Sequence, residues 1–405
     1  MKLISLINLL TFSVFFLSCG QDNDTPNNNR HKPVIYSIDE FCMGVDLSYV
    51  NQILNHGGIY KDSGQIRDPY LIFKNHGANT VRVRLWHNPA WTMDVYGNSA
   101  SHMYHDLNDV ANTIRRAKEQ GMAVNLDIHY SDTWADPGYQ KPPAAWKNIS
   151  NLTVLKDSVY LYTYHTLQYL NNKGLMPEMV QIGNEINCGM LITNTDSLFP
   201  NINGCKGHFK ELGEVLNAAI RAVREISAHS SMKPQIILHI ADPKNLDWWF
   251  GNITATGNVT DFDIIGFSYY TLWHKTVAFN DLPELVTNIK EKYNKKIMIA
   301  ETAYPWTNED ADNYGNIYGI DGQLEAFPYT IDGQYNFLVT LTQNMINAGC
   351  SGIMYWEPGW ITSKMKDLWG TGSSWDNNTL FDFEGNVIEG IDFMNFPYQF
   401  PEKNK

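Results

Sequence analysis

The sequence is short of charge. Asp, Glu, Lys and Arg make up 18% of its 405 residues, below the roughly 25% of an ordinary soluble domain. Positive charge is the scarcer sign: 30 Lys and Arg stand against 43 Asp and Glu, a formal net charge of −13. A chain this acidic lacks the basic footprint of a nucleic-acid binder. Its 5 cysteines show no Cys-x-x-Cys spacing, which argues against a thiolate metal cluster. Beyond the N-terminus no apolar run reaches the roughly 18 residues of a membrane span. Aromatic residues are abundant instead, at 13%, with 12 Trp and 22 Tyr. A disordered chain has the reverse balance. Rings on this scale suit either a large core or a neutral ligand with flat apolar faces, such as a sugar. The length allows two ordinary domains or one large α/β barrel.

Residues 1–18, MKLISLINLLTFSVFFLS, set one Lys before an apolar run too short for an ordinary span. The run ends in Leu17-Ser18-Cys19-Gly20, which resembles a bacterial lipoprotein signal. That resemblance implies a cleaved signal peptide (1–18), a lipidated Cys19 and a polar tether through residue 33. Asp22 and Asp24 resemble the surface-export signals of Bacteroides-type lipoproteins. The expected location is the outer membrane of a Gram-negative bacterium, at the cell surface, touched through the lipid alone. An exported chain can oxidise its remaining thiols, Cys42, Cys188, Cys205 and Cys350. Cys188 and Cys205 flank one loop and could pair. Cys42 and Cys350 would lie near the first and last strands of a closed barrel. Free buried thiols are the alternative.

Short apolar runs alternate with helical stretches between residues 34 and 401. Strands are expected at Phe41–Asp46, Thr80–Leu85, Ala123–Ile128, Met179–Ile182, Gln235–Ile240, Ile264–Ser268, Lys296–Ala300 and Gly352–Tyr355. Their apolar runs lack strict alternation, as in strands covered on both faces. Helical stripes cover Asp106–Gln120, Leu155–Asn171, Phe209–Ala228, Leu282–Tyr293 and Tyr335–Ala348. Gly121, Gly174 and Gly349 stand where C-caps are expected. The pattern predicts a single α/β domain, a (β/α)8 TIM barrel over residues 34–401. Long insertions at Trp86–His105, Ser131–Lys147, Asn187–Gly207 and Tyr304–Asp332 follow strands. Barrel enzymes build their sites at those ends.

Two glutamates close strands. Gln181-Ile182-Gly183-Asn184-Glu185 ends the fourth, and Ile297-Met298-Ile299-Ala300-Glu301 ends the seventh. Strands 4 and 7 face each other across a barrel mouth, so both carboxyls could converge on one bond. A retaining glycosidase needs such a pair, one to protonate the leaving oxygen and one to attack the anomeric carbon. This arrangement resembles clan A retaining glycoside hydrolases. By that resemblance Glu185 is the acid/base, Glu301 the nucleophile and Asn184 a partner of the sugar 2-hydroxyl. Arg82 matches the strand 2 arginine beside the nucleophile, and Tyr269 the strand 6 aromatic that orients it.

Further motifs narrow the resemblance. They include Gly44-Val45-Asp46-Leu47-Ser48, Gly77 through Trp86, Asp127-Ile128-His129-Tyr130-Ser131-Asp132-Thr133-Trp134, Tyr355-Trp356-Glu357-Pro358 and Gly372 through Asn377. In order, over residues 40–390, they resemble glycoside hydrolase family 53, the endo-β-1,4-galactanases. The resemblance implies a monomer with an open groove that cuts β-1,4-galactan, the side chain of type I arabinogalactan and pectin. Sugar CH faces stack on Trp rings in such grooves. Trp86, Trp134, Trp273 and Trp356 are the strand-end candidates, with Trp356 beside the nucleophile. Asp46, His129 and Asp132 are candidate hydroxyl partners. Bacterial members carry a structural calcium between the loops after strands 7 and 8. Here its ligands would be Asp310, Asp312 and Asn316, with Ser373 and Asp376. Tyr314 departs from the expected ligand pattern. The hydrolysis itself needs no metal. Two other readings stay open: another clan A endo-glycanase, a xylanase or mannanase, and a non-catalytic surface glycan-binding lipoprotein.

Overall fold

The computed structural model describes residues 32–100, 102–193 and 198–402. Cys19, the signal peptide and nearly all of the tether lie outside them. Eight parallel strands close a barrel: β1 Cys42–Asp46, β2 Thr80–Leu85, β3 Ala123–Ile128, β4 Met179–Ile182, β5 Gln235–Ala241, β6 Ile264–Tyr269, β7 Lys296–Thr302 and β8 Gly352–Tyr355. Each strand pairs with its neighbours in sequence, and β1 closes on β8. The (β/α)8 expectation therefore holds, and four strands match their predicted bounds. The largest difference is at β7, which runs two residues past its expected end.

Helices fill the spaces between strands: α1 Pro69–Asn75, α2 Leu107–Glu119, α3 Leu152–Asn172, α4 Phe209–Ala228, α5 Leu246–Ala255, α6 Leu282–Tyr293 and α7 Ile331–Asn347. Side chains of Asp68, Asp106, Asn151 and Thr330 cap α1, α2, α3 and α7. Gly121, Gly174 and Gly349 follow helix ends with φ of +69°, +70° and +79°, a region that costs glycine nothing. Sequence periodicity missed α1 and α5. The latter reads LDWWFGNITA, with four residues of low helix propensity at its centre. In the eighth helix position a 3₁₀ run, Glu389–Asn395, packs on α7. Among the described residues no helix is long and apolar enough to cross a membrane.

Strand alternation divides the barrel interior into a dry floor and a polar mouth. Cys42, Met179, Ile237, Ile264, Met298 and Met354 pack together as the floor. Two residues onward, the same inward faces carry Gln181 after Met179 and His239 after Ile237. Asp127 and Arg82 follow Asn125 and Thr80 in the same way. The outward faces of the strands join the main core under the helices.

Strand β7 breaks this alternation once. Phe267 pairs with Ile299 but Ser268 pairs with Glu301, so Ala300 is an extra residue in the ladder. The pairing to β8 skips at the same place. Ile297 and Ile299 face outward into the main core, while Met298 faces the floor. Strict alternation would send Glu301 outward as well. The bulge turns it into the mouth, a known use of bulges beside active sites.

Cys188 and Cys205 form a disulfide across the loop after β4, one of the pairings considered above. Cys42 and Cys350 are buried free thiols. The bridge spans a sequence separation of 17, and a closed loop of that size is worth about 3 kcal/mol of chain entropy. Replacing both cysteines with serine is expected to lower the free energy of unfolding in urea by that order. Equilibrium unfolding of the two proteins checks it.

Candidate active site

The mouth is organised around Arg82, which is 1% exposed. Its Nη1 donates to Asp46 Oδ2 at 2.7 Å, and its Nη2 to Asp127 Oδ2 at 2.7 Å and Asn184 Oδ1 at 2.9 Å. The same Nη2 lies 2.7 Å from Glu301 Oε1. Arg82 Nε donates to Gln181 Oε1 at 3.3 Å. Tyr270 OH donates to the other Glu301 oxygen at 3.1 Å. Burial raises the Glu301 titration, and the Arg82 charge opposes that rise. A cation in contact holds this carboxylate in its ionised form.

Glu185 sits in a different environment. Gly183 and Glu185 take left-handed backbone angles, φ +76° and +47°, and swing the chain sharply off the end of β4. A Cβ on residue 183 would lie 2.6 Å from Ile186 Cγ2. Half-buried Glu185 accepts a hydrogen bond from Ser268 Oγ at 2.5 Å. Burial raises its titration most, and the nearby Glu301 charge raises it further. Arg82 acts on it from a distance, whereas Glu301 touches Arg82 directly. The pair therefore divides into a proton keeper, Glu185, and an anion, Glu301.

Both carboxyls line a groove of about 730 Å³. Its walls carry Trp134, Trp273, Trp356, Trp360, Trp369 and Trp375. Trp356 meets Trp375 edge-on at 4.7 Å and Trp134 at 5.7 Å. Trp134 is itself backed by Arg84, whose guanidinium lies 4.1 Å from its ring and 4.1 Å from that of Tyr49. Arg84 pairs with buried Glu357, the residue after Trp356. Trp369 and Trp273 are 62% and 47% exposed, so open platforms extend along the groove.

Several predicted site residues stand elsewhere. Trp86 is 0% exposed and donates its indole N–H to His129 Nδ1 at 3.1 Å, so it supports the wall from behind. His129 is also buried, with Nε2 3.0 Å from Asp127 Oδ2 and Nδ1 accepting from Ala135 N. It braces the Arg82 cluster and cannot reach a sugar. Asp46 is fully buried and holds Arg82 and Ser48. Asp132 accepts from the backbone of Asn88 and Ala144, stapling two loops outside the groove lining. Tyr269 follows Phe267 outward into the core, whereas Tyr270, on the face of Ser268, contacts Glu301. The correction is one residue of strand parity. Asn184 and Trp356 do line the groove. Trp360, Trp369, Trp375 and Tyr314 were not anticipated, although Trp375 lies in a motif already singled out.

The expected calcium ligands converge but form no cage. Asn316 donates from Nδ2 to Asp310 Oδ1 at 2.6 Å and Asp376 Oδ1 at 2.7 Å. Asp312 Oδ2 accepts from Ser373 N at 3.0 Å and Thr362 Oγ1 at 2.6 Å, while Asp376 Oδ2 accepts from Ala311 N. Ser373 Oγ donates away, to Trp360 O. Tyr314 turns its hydroxyl to Asp367 Oδ2, at 2.8 Å. Among the described residues no group of three or more His, Cys, Asp or Glu is placed to hold a metal ion. N–H and O–H donors meet the three carboxylates here, while Asn316 Oδ1 is buried beside them without a hydrogen-bond partner. The two loops are tied by protein hydrogen bonds.

Sequence and structure comparisons agree with this geometry. The profile of "Glycosyl hydrolase family 53" matches residues 42–394. The arabinogalactan endo-beta-1,4-galactanase of Cellvibrio japonicus is 40% identical over 361 residues, 89% of this chain and 92% of that protein. The endo-beta-1,4-galactanase of Bacillus subtilis is 32% identical, covering 88% of this chain and 86% of its own. Among solved structures, the family 53 catalytic domain of Ignisphaera aggregans superposes with a TM-score of 0.77 at 31% identity, over 91% of this chain and 100% of that one. A barrel with Glu185 and Glu301 at its mouth, matched over nearly its whole length, belongs to glycosyl hydrolase family 53.

Proposed function

We propose that the chain is a retaining endo-β-1,4-galactanase acting on galactan and type I arabinogalactan. One observation carries this reading. Two carboxyls share an aromatic groove, one held as an anion by Arg82 and the other kept protonated by burial. The galactanase names of the relatives at 40% and 32% identity support the substrate. Glu301 attacks the anomeric carbon as Glu185 gives its proton to the departing glycosidic oxygen. A covalent glycosyl-enzyme results. Ionised Glu185 then takes a proton from water, and the hydroxide displaces Glu301 with net retention. Asn184 is the partner of the 2-hydroxyl and Trp356 the platform beside the reacting sugar. Exposed Trp273 and Trp369 in the groove wall suit the further sugar units that internal cleavage of a polymer requires. A glycan-binding protein without catalysis would have no use for this matched pair of carboxyls.

The chain is further read as an exported lipoprotein, anchored through Cys19 to the outer membrane at the cell surface. The Cys188–Cys205 disulfide supports export, since such bonds persist in oxidising compartments.

Glu301→Gln is expected to lower galactan hydrolysis by at least about 10³-fold with unchanged far-UV circular dichroism. Reducing-end release from potato galactan, and not from xylan or mannan, is the outcome that separates this activity from other clan A endo-glycanases. Activity should fall at low pH as Glu301 is protonated and at high pH as Glu185 loses its proton. Burial lifts both groups, so a kcat/KM profile should place both limbs above the ordinary carboxylate range near 4.3. Cys19→Ala should move the protein from the membrane fraction to the soluble fraction of cells, read by immunoblot.

A further inference from the structure

Beneath the two carboxyls runs a chain of hydrogen bonds in which every donor can point the same way. It begins at Arg82 Nε, which donates to Gln181 Oε1 at 3.3 Å. Gln181 Nε2 lies 3.0 Å from His239 Nδ1. His239 Nε2 lies 2.9 Å from Ser268 Oγ. Ser268 then donates to Glu185 Oε1 at 2.5 Å. The strands set this path: Gln181, His239 and Ser268 are inward residues of β4, β5 and β6, three neighbours in the barrel.

His239 is the hub. It is 0% exposed, and burial, aided by the charge of Arg82, holds it neutral. A neutral imidazole carries one N–H, so one ring nitrogen must accept. Nδ1 faces the Gln181 amide at 3.0 Å and the Glu185 backbone N–H at 3.4 Å. Asn184 Oδ1 also lies 2.9 Å from it, but both lone pairs of that oxygen are supplied, by Arg82 Nη2 at 2.9 Å and Gln181 Nε2 at 3.2 Å, which leaves Nδ1 to accept. With Nδ1 accepting, Nε2–H donates to Ser268, and the serine proton is committed to Glu185. One imidazole thereby touches both Asn184 and the support of Glu185.

We propose that His239 and Ser268 are positioning residues that hold Glu185 by one oxygen, stabilise its ionised form through a relay from Arg82, and leave Oε2 to exchange the working proton. This rests on the galactanase reading above. Among the described residues Oε2 has no protein partner, and Glu185 lines the groove. The two steps place opposite demands on Glu185, acid first and base second. Burial and Glu301 favour the protonated form, while the Ser268 hydrogen bond favours the anion. No net proton moves along the relay. The proton lost to the leaving oxygen is regained from water, and Ser268 and His239 keep their own. The other charged and titratable groups facing Glu185 are Asp136 from the loop after β3, Arg82 from β2, Glu301 from β7 and Tyr270 after β6.

The test compares wild type with Ser268→Ala, His239→Gln and the double variant. Substrates are potato galactan and a dinitrophenyl β-1,4-galactobioside, whose leaving group needs no protonation. Removing the Ser268 donor should raise the basic limb of the kcat/KM profile by about one pH unit and leave the acidic limb in place. His239→Gln should shift it in the same direction. The double variant should shift it no more than Ser268→Ala alone, because the relay is broken once. Galactan turnover should fall about tenfold or more. On the aryl substrate the first step is spared, so a burst of dinitrophenolate should precede slow turnover. An unmoved basic limb, additive shifts, or equal slowing of both substrates without a burst would overturn the relay. Failure of wild type to cut galactan would overturn the galactanase reading instead, and the two failures are distinguishable.

Discussion

The buried guanidinium of Arg82 is the interaction on which the site depends. Desolvating a cation of this kind costs several kcal/mol, on the order of what its partners return. Here the return comes from Asp46, Asp127 and Glu301, each at 2.7 Å. Three carboxylates around one cation leave an excess of negative charge. Asp46 and Asp127 push the Glu301 titration upward while Arg82 pulls it down. The cluster therefore holds Glu301 as an anion without locking it into an inert ion pair. Its polar neighbours follow from position. Gln181, Asn184 and His239 occupy inward sites just above the apolar floor, where a lone cation would otherwise be stranded.

The groove walls rest on a second buried pair. Arg84 stacks between Tyr49 and Trp134 and binds Glu357. Glu357 has φ +47°, a conformation that a non-glycine residue keeps only when its surroundings over-determine it. The pair thus links two platforms, Trp134 through its ring and Trp356 through the backbone of its neighbour. Cation–π contact at a desolvated site is worth about 2 kcal/mol, enough to favour one ring orientation. Loops after β7 and β8 are held by a different means. Asp310, Asp312 and Asp376 are bridged by Asn316, Thr362 and Ser373. Tyr314 leaves that knot to reach Asp367 at the groove edge.

Much of this was legible in the residues. Eight apolar runs gave eight strands because both faces of each are covered, so no solvent face blurs the pattern. Glu185 and Glu301 were visible as carboxyls closing such runs. Side-chain direction at a strand end was not. Tyr269 and Tyr270 are equally plausible by type, and only the inward phase of Ile264 and Ser268 separates them. Trp86 and His129 stand at strand ends too, but the loop carrying Trp134 covers them. Trp360, Trp369 and Tyr314 come from long loops with no periodicity to read. The acidic spacing at residues 310–316 was read correctly as a convergent loop. What spacing cannot tell is whether the oxygens that meet there already have donors.

The extra residue in β7 has a consequence for how this strand can change. Odd and even positions along a strand serve different sides of the barrel wall, so the count from Lys296 to Glu301 works as a reading frame. Substituting Ile297 or Ile299 alters packing locally. Straightening the bulge while every residue is kept would instead deliver the carboxylate to the helices. Ala300 has little to do by its chemistry; it keeps the frame, and a small side chain is all that such a spacer needs.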